Sequence, residues 1–457
     1  MQPIWANISN IFGRKLPLYI CMVFFFVGSI VFATAQNMDT IIIGRALQGF
    51  GGGGMDVLAE VILADMTTLE ERSKYMGLLG IIMAVGNISG SAIGALFATY
   101  ASWRWIGWIN LPLLGIGTPL VIFFLKLRPV HLDEPLAKKL NRLDWIGTGL
   151  SVVGITVFAL PLSWAGSLFP WRSWQTLFPM FVGLAVFVVF TLYEAKAADP
   201  MIPPRLFSSK TANATLAGGF IHGVMLFSLL QYLPLLFQAV SLQTSIAAAV
   251  SLLPTVITSV IIAAVGMMLV PLFGGYTRVL LVAWGLAALG AGILAIFNVD
   301  SPVSMRYGIA IVWGVGISLL RLNLLPMQAS FKHVDDTGMA IGVFSTIRMF
   351  GALIGLTIAS SIFNTVFAAK LSATSVVLTG DLAPLRDASN SIAFIDHLTS
   401  IHVPKDQLRQ ILEVYLRCFR TLFYTMTGFS GVGLITSLFQ DEIDLKSQGP
   451  GSQRFEH

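Results

Sequence analysis

Three ionisable residues stand inside one long apolar run: Arg45, Asp56 and Glu60, within residues 40–64. A charge carried into hydrocarbon is costly, so such residues mark a pathway by default. In a helix eleven residues make about three turns, which puts Arg45 and Asp56 on one face and Glu60 one turn further on. Gln48, Gly49 and Gly52 fall on the same side. The chemistry this stripe offers is proton binding and release by Asp56 or Glu60, because a carboxyl deprived of water holds its proton more firmly. Arg45 would oppose that hold whenever it came near. A second reading stays open, in which the acids form buried ion pairs with neighbouring helices or reach the membrane interface.

Other polar residues sit in later runs. Arg321 and Asn323 lie within 304–329, where Arg321 could pair with an anionic substrate or with one of the acids. Arg348 follows in the run that starts near Gly338. His222, Gln231, Tyr232 and Gln238 are candidates for lining a substrate cavity from 212–238, although a lone His is more often a packing residue. Gly86, Gly90 and Gly94 share a helix face and predict a close helix crossing.

The elements that must hold these residues are membrane helices. Apolar residues make up 55% of the 457 and charged ones only 11%, too few to solvate a soluble surface of this size. Twelve apolar runs are long enough to span a bilayer: 17–35, 40–64, 76–98, 107–125, 144–165, 175–193, 212–238, 246–270, 279–297, 304–329, 339–367 and 418–438. They are continuous rather than alternating, so helices are predicted, not a barrel. With a cytoplasmic N-terminus, the inner connections hold Arg14, Lys15, Arg72, Lys74, Arg128, Lys138, Lys139, Arg142, Arg205 and Lys332 among others. The short outer ones hold Arg104, Arg172 and Arg306. That asymmetry predicts both termini inside. The long segment 368–417 is then outside, and it includes an amphipathic stretch from Lys405 to Arg420, read first as an ordinary surface helix, with a place on the outer leaflet as the other reading.

Three stretches in order resemble the fourteen-helix drug:proton antiporter family of the major facilitator superfamily, especially its fungal toxin and multidrug efflux members. QPIWANISNIFGRK (2–15) is similar to the loop between that family's second and third helices. GRALQGFGGGG (44–54), with DVLAEVILAD and LEERSKYMG, is similar to its fourth helix and the loop beyond. GNISGSAIGA (86–95) and SWRWIGWINLP (102–112) are similar to its antiporter motif and the start of its sixth helix. The match continues through QYLPLLFQ (231–238) and from Gly338 to Phe363, nearly the whole chain. GRALQGFGGGG and SWRWIGWINLP in this order are the specific signals.

The resemblance implies an all-α polytopic facilitator fold with 12 membrane helices of an expected 14, the family's first two having no counterpart here. It divides the chain into an N-terminal bundle of four helices (1–143), an extra central pair (144–194) and a linker (195–211). A six-helix bundle (212–438) with its outer loop (368–417) and a cytoplasmic tail (439–457) follow. It gives Asn10, Gly13, Arg14 and Lys15 a gating role. The family usually carries Gly and Asp where this chain has Ala6 and Asn10, and Gly-Pro where it has Gly90-Ser91. LVPLFGGYTR (269–278) is a weak echo of the loop motif in the second half.

The function implied is proton-coupled export of small amphipathic organic molecules (a drug, toxin or secondary metabolite) by alternating access. An inactive remnant or sensor of the same fold, or a uniporter or importer, is the alternative. The sequence lacks GxxxxGK[ST] and metal-ligand spacing, so neither an ATP-driven pump nor a metal cofactor is expected. Clustered catalytic motifs are also missing, so an enzyme is not expected. Partners are a small molecule, protons and the lipid bilayer, with no nucleic acid, and the chain is expected to be a monomer. The plasma membrane is the expected site, the vacuolar membrane the alternative.

Overall fold

The structure is a computed structural model that describes residues 2–127, 135–165, 169–197, 200–202, 204–270, 275–331, 335–374, 376 and 378–443. The tail from 444 onward, the centre of LVPLFGGYTR, and Arg128 and Lys332 lie outside the described residues.

The described chain is nearly all helix. A short helix α1 (Gln2–Phe12) precedes α2 (Lys15–Ala33), α3 (Met38–Met66), α4 (Leu69–Tyr100), α5 (Trp105–Phe124), α6 (Trp145–Trp164) and α7 (Trp174–Glu194). Then come α8 (Lys210–Ser241), α9 (Ser245–Leu269), α10 (Tyr276–Leu294), α11 (Val303–Ala329), α12 (Asp335–Leu371) and α13 (Lys405–Ser437). Nine of these, among the described residues, are long and apolar enough to cross a membrane. The other long helices, α3, α4 and α13, have 29, 32 and 33 residues and carry more polar groups. Large apolar side chains on α5, α6 and α7 face outward, among them Phe123, Phe124, Trp174 and Phe178, as lipid-facing surfaces require.

Burial of apolar area does not drive helices together in lipid, so close backbone approach must. The glycines show where it happens. Gly28, Gly44, Gly51 and Gly54 seat α3 on α2: a Cβ on Gly28 would lie 2.6 Å from the Gln48 backbone nitrogen, and one on Gly54 would meet Cys21 and Trp5. Gly219, Gly223, Gly351 and Gly355 do the same for α8 and α12. The crossing expected at Gly86, Gly90 and Gly94 is not found. Among the described residues, a Cβ on any of them meets nothing within 4 Å, whereas one on Gly80 of the same helix would lie 3.4 Å from Arg321 Nη1 and 4.0 Å from Ala263 Cβ. A shared face shows that helices can approach, not that a partner lies there.

Two further expectations are corrected. The run 304–329 falls on one span, α11, but its helix is interrupted: it is made of Val303–Gly308, Ile311–Leu319 and Leu324–Ala329, with a 3-10 turn at Leu320–Asn323. Pro326 lacks the N–H that would serve the Leu322 carbonyl, so the helix tightens just before it. The stretch Lys405–Arg420 is not a separate surface helix. It is the first half of α13, with Ile411, Leu412, Tyr415, Leu416 and Phe419 buried. Tyr415 Oη donates to the Ser391 carbonyl (2.6 Å), and Leu382, Leu385, Phe394 and Ile395 pack into the same core. An amphipathic pattern finds an apolar partner in protein as readily as in lipid.

The packing predicts a contrast. Gly51→Val should cost about 1–3 kcal/mol through overpacking at the α2–α3 contact, lowering the thermal unfolding midpoint in detergent by several degrees. Gly90→Val should leave that midpoint unchanged. Equal shifts would mean that α2 and α3 do not meet at Gly51.

Candidate functional site

Gly13 has φ of +81°, the left-handed conformation that glycine takes at little cost, and it ends α1. The chain therefore turns sharply, and Arg14 is thrown back beneath the helix ends. Arg14 is 4% exposed. Its Nε donates to Asp65 Oδ2 at 2.8 Å, and its Nη1 donates to Ser9 Oγ (2.6 Å) and to Asn10 Oδ1. Asp65 lies at the end of α3, so one guanidinium ties α1, α2 and α3 together. Gly338 of α12 abuts the same group: a Cβ there would stand 3.3 Å from Arg14 Nη2 and 3.6 Å from Asn10 Oδ1. Lys15 is half-buried and begins α2.

Deeper along α3 is a second cluster. Glu60, 6% exposed, accepts a hydrogen bond from Ser345 Oγ of α12 at 3.3 Å. Asp56, one turn earlier and half-buried, accepts from Gln2 Nε2 of α1 at 2.9 Å. Arg348 of α12 and Arg321 of α11 lie within electrostatic reach of Glu60, yet neither forms an ion pair with it within 4.0 Å. Arg321 sits on the 3-10 turn and points Nη2 at Met83 Sδ of α4 (3.0 Å). His222 of α8, 1% exposed, feels both guanidiniums, and neither ring nitrogen makes a hydrogen bond of normal geometry. Two carboxyls, two guanidiniums and one imidazole thus converge from α3, α8, α11 and α12 without direct neutralisation.

Other expected site residues lie elsewhere. Arg45 is exposed and about 22 Å along the helix from Glu60, at 1.5 Å per residue. Its Nη1 donates to Gln48 Oε1 (3.0 Å), Gln48 Nε2 to Ser29 Oγ (3.0 Å), and Asn110 Nδ2 to the same oxygen (3.2 Å). This chain of bonds joins α2, α3 and α5. Arg45 therefore does not oppose Glu60; Arg348 and Arg321 hold that position. Asn323 faces away from Arg321, donating to the Thr215 carbonyl (3.3 Å) and accepting from Gln440 Nε2 (2.9 Å). Of the four residues on α8, only His222 joins the cluster. Tyr232 packs on the Phe363 ring (5.7 Å between centroids), Gln231 is exposed, and Gln238 accepts from Ser245 Oγ (3.3 Å) near the helix end. Nine residues turn a helix by two and a half turns, which separates Gln231 from His222.

Sequence reasoning missed Asp65 as the partner of Arg14, and Gln2 and Ser345 as partners of the acids. Asp65 was visible as an acid nine residues beyond Asp56, but only the fold shows which cation reaches it.

The family model described as Major Facilitator Superfamily matches residues 1–356. The chain belongs to the Major Facilitator Superfamily. Among its relatives, the MFS-type transporter sphD of Aspergillus fumigatus is 70% identical, over 100% of this chain and 79% of that one. The MFS transporter L2 of a Phoma species is 37% identical over 97% of this chain and 73% of its own length. The efflux pump FUS6 of Gibberella fujikuroi is 31% identical over 98% and 80%. In structure the chain is similar to the human organic anion transporter MFSD10, with a TM-score of 0.58 at 15% identity, over 95% of this chain and 80% of that one. This facilitator is therefore a multi-pass membrane transporter of small molecules and not an enzyme.

In this facilitator Arg14 and Asp65 form a buried pair, with side chains 3% and 7% exposed. Removing Arg14 takes the guanidinium away from a buried carboxylate. Arg14→Ala should destabilise the fold by about 3–5 kcal/mol, read from reversible unfolding in mixed detergent. Arg14→Met with Asp65→Leu should recover most of that loss; a double variant as unstable as the single one would refute the pairing.

Proposed function

We propose that this facilitator exports small amphipathic organic molecules in exchange for protons, by alternating access. The observation that carries the reading is Glu60, buried on α3 beside Ser345 and facing Arg348 and Arg321 without touching either. A carboxyl so placed has two ways to satisfy its charge, a proton or a closer guanidinium, and each suits a different separation of α3 from α12. Protonated, Glu60 releases its hold on the cations and α12 can move away. Deprotonated, it draws Arg348 or Arg321 inward. Proton binding is thereby tied to which side of the molecule opens.

The Arg14–Asp65 clamp supports a gate at one end, because α12 abuts it through Gly338. Asn10 stands where the resembled family has an acid, and here its amide oxygen accepts from Arg14 while Asp65 supplies the negative charge. In this reading both termini and the Gly13 turn are cytoplasmic and the plasma membrane is the location. α2 to α5 form one bundle with α1, α6 and α7 are the additional pair, and α8 to α13 form the second bundle. The relative named an efflux pump supports the outward direction.

The test is transport in proteoliposomes of the full chain with an imposed pH gradient and a fluorescent amphipathic dye. Glu60→Gln should lower gradient-driven movement at least tenfold, roughly the scale of losing one essential proton carrier. Dye exchange without a gradient should persist. Gradient-driven transport at the unaltered rate in Glu60→Gln would remove Glu60 from proton coupling.

A further inference from the structure

A buried polar network lies behind the Glu60 cluster, on the far side of the turn that carries Arg321. The 3-10 turn Leu320–Asn323 has poorer hydrogen bonds than an α-helix, and Pro326 follows it closely. Its own backbone therefore holds it weakly. Arg321 does little to fix itself. Its Nη2 rests on Met83 Sδ, a weak acceptor, and among the described residues it forms no ion pair within 4.0 Å. What places its guanidinium near Glu60 must lie beneath the turn.

Three residues make one turn of a 3-10 helix, so Arg321 and Asn323, two apart, leave the turn on different sides. Asn323 is fully buried against α8. Its Nδ2 donates to the Thr215 carbonyl at 3.3 Å, and its Oδ1 accepts from Gln440 Nε2 at 2.9 Å. The same Nε2 donates to Thr215 Oγ1 at 3.2 Å. A Cβ on Gly218 would lie 2.7 Å from Asn323 Nδ2, so the glycine makes room for the amide. Gln440 is 5% exposed, and its Oε1 is buried without a donor. That orphan oxygen is a cost, and an apolar side chain of the same size would avoid it.

Gln440 lies beyond α13, on a segment that is itself tied down. The Asp441 N–H donates to Thr211 Oγ1 of α8 at 3.0 Å, and the Asp441 carbonyl accepts from Tyr276 Oη of α10 at 2.7 Å. The Ile443 N–H donates to the same Tyr276 oxygen at 3.1 Å. The amide that grips Asn323 is thus anchored on two other helices. We infer that Gln440 is a positioning residue: through Asn323 it fixes the 3-10 turn, and with it the place of the Arg321 guanidinium relative to Glu60. The inference rests on the proposed role of Glu60 as proton carrier. Asp56 of α3, Arg348 of α12 and His222 of α8 also face this cluster, and none of them is on the turn. An effect of Gln440 that passes through the turn must therefore vanish when Arg321 loses its charge.

Infrared titration of the purified full chain in nanodiscs tests this without relying on transport. The protonated-carboxyl band of Glu60 is the one lost in Glu60→Gln. Gln440→Met keeps the size and removes the donor, and Asn323→Leu cuts the same bond from the side of the turn. A single symmetric gel-filtration peak shows that each variant is folded. Arg321→Gln gives the shift in half-titration that follows when the guanidinium is gone. Gln440→Met and Asn323→Leu should each shift the half-titration of the Glu60 band in the same sense, by about half a pH unit or more, roughly a threefold change in proton affinity. Neither should shift it further when added to Arg321→Gln, because both act through that residue. An unshifted band in both variants would overturn the inference, and so would shifts that add in full to that of Arg321→Gln. If no titrating band disappears in Glu60→Gln, Glu60 carries no proton, and the inference falls with the reading it rests on.

Discussion

Water is missing from most of the space this chain occupies, and every charged or hydrogen-bonding group must find its partner in protein. Helices satisfy the backbone internally. Side-chain charges then have to meet across helices, and they can do so only where backbones come close. The α2–α3 and α8–α12 contacts are glycine-built for this reason: Gly223 and Gly351 bring α12 against α8, which sets Arg348 beside His222 and opposite Glu60. The polar seam follows from tight packing around it, not from any strong ion pair of its own.

Much of this was legible in the sequence. Nine of the twelve apolar runs fall on helices that, among the described residues, are long and apolar enough to cross a membrane, and the acids on 40–64 do face other helices rather than lipid. The tight turn at Gly13 followed from its place after a helix end. What sequence could not give was axial distance and partner identity. Arg45 and Glu60 belong to one polar stripe, but a stripe runs the length of a helix, and Arg45 is spent on Gln48 and the Phe32 ring. Arg321 and Asn323 are adjacent in the chain, and the 3-10 turn before Pro326 sends them to opposite sides. Gly86, Gly90 and Gly94 repeat at spacing four with no neighbour within 4 Å among the described residues. Periodicity reports a face; it does not report what lies opposite.

The acids at helix ends sort by the sign of the local dipole. Glu442 accepts from the Tyr276 and Thr277 N–H groups (2.9 and 3.0 Å) at the start of α10, where negative charge is favoured. Asp144 caps the start of α6 in the same sense. Asp65 and Glu194 lie at helix C-termini, where negative charge is disfavoured. Asp65 is offset by Arg14. Glu194 has one backbone N–H and a neighbouring carboxyl instead of a cation. The comparison sets Glu194 apart as the helix-end acid whose pKa is pushed up to about 7 by burial and a neighbouring carboxyl, instead of a cation holding it charged.

All four acids lie at the end of the molecule that holds the Gly13 turn. Glu442 fastens α13 to α10, and Asp441 takes part through its carbonyl, which accepts from Tyr276 Oη at 2.7 Å. The opposite end is held differently. There Arg104 donates to the Ala35 carbonyl (2.8 Å), Arg420 to the Phe297 carbonyl (3.1 Å), and Arg409 pairs with Asp300 on the surface. Arginine on a carbonyl keeps its charge whatever happens to the protons around it. A lock built on a carboxylate does not. The buried charged lock at the Gly13 end, Arg14–Asp65, thus rests on a carboxylate, whereas the carboxylate lock named at the opposite end, Arg409–Asp300, lies open to water and its half-buried locks rest on carbonyls.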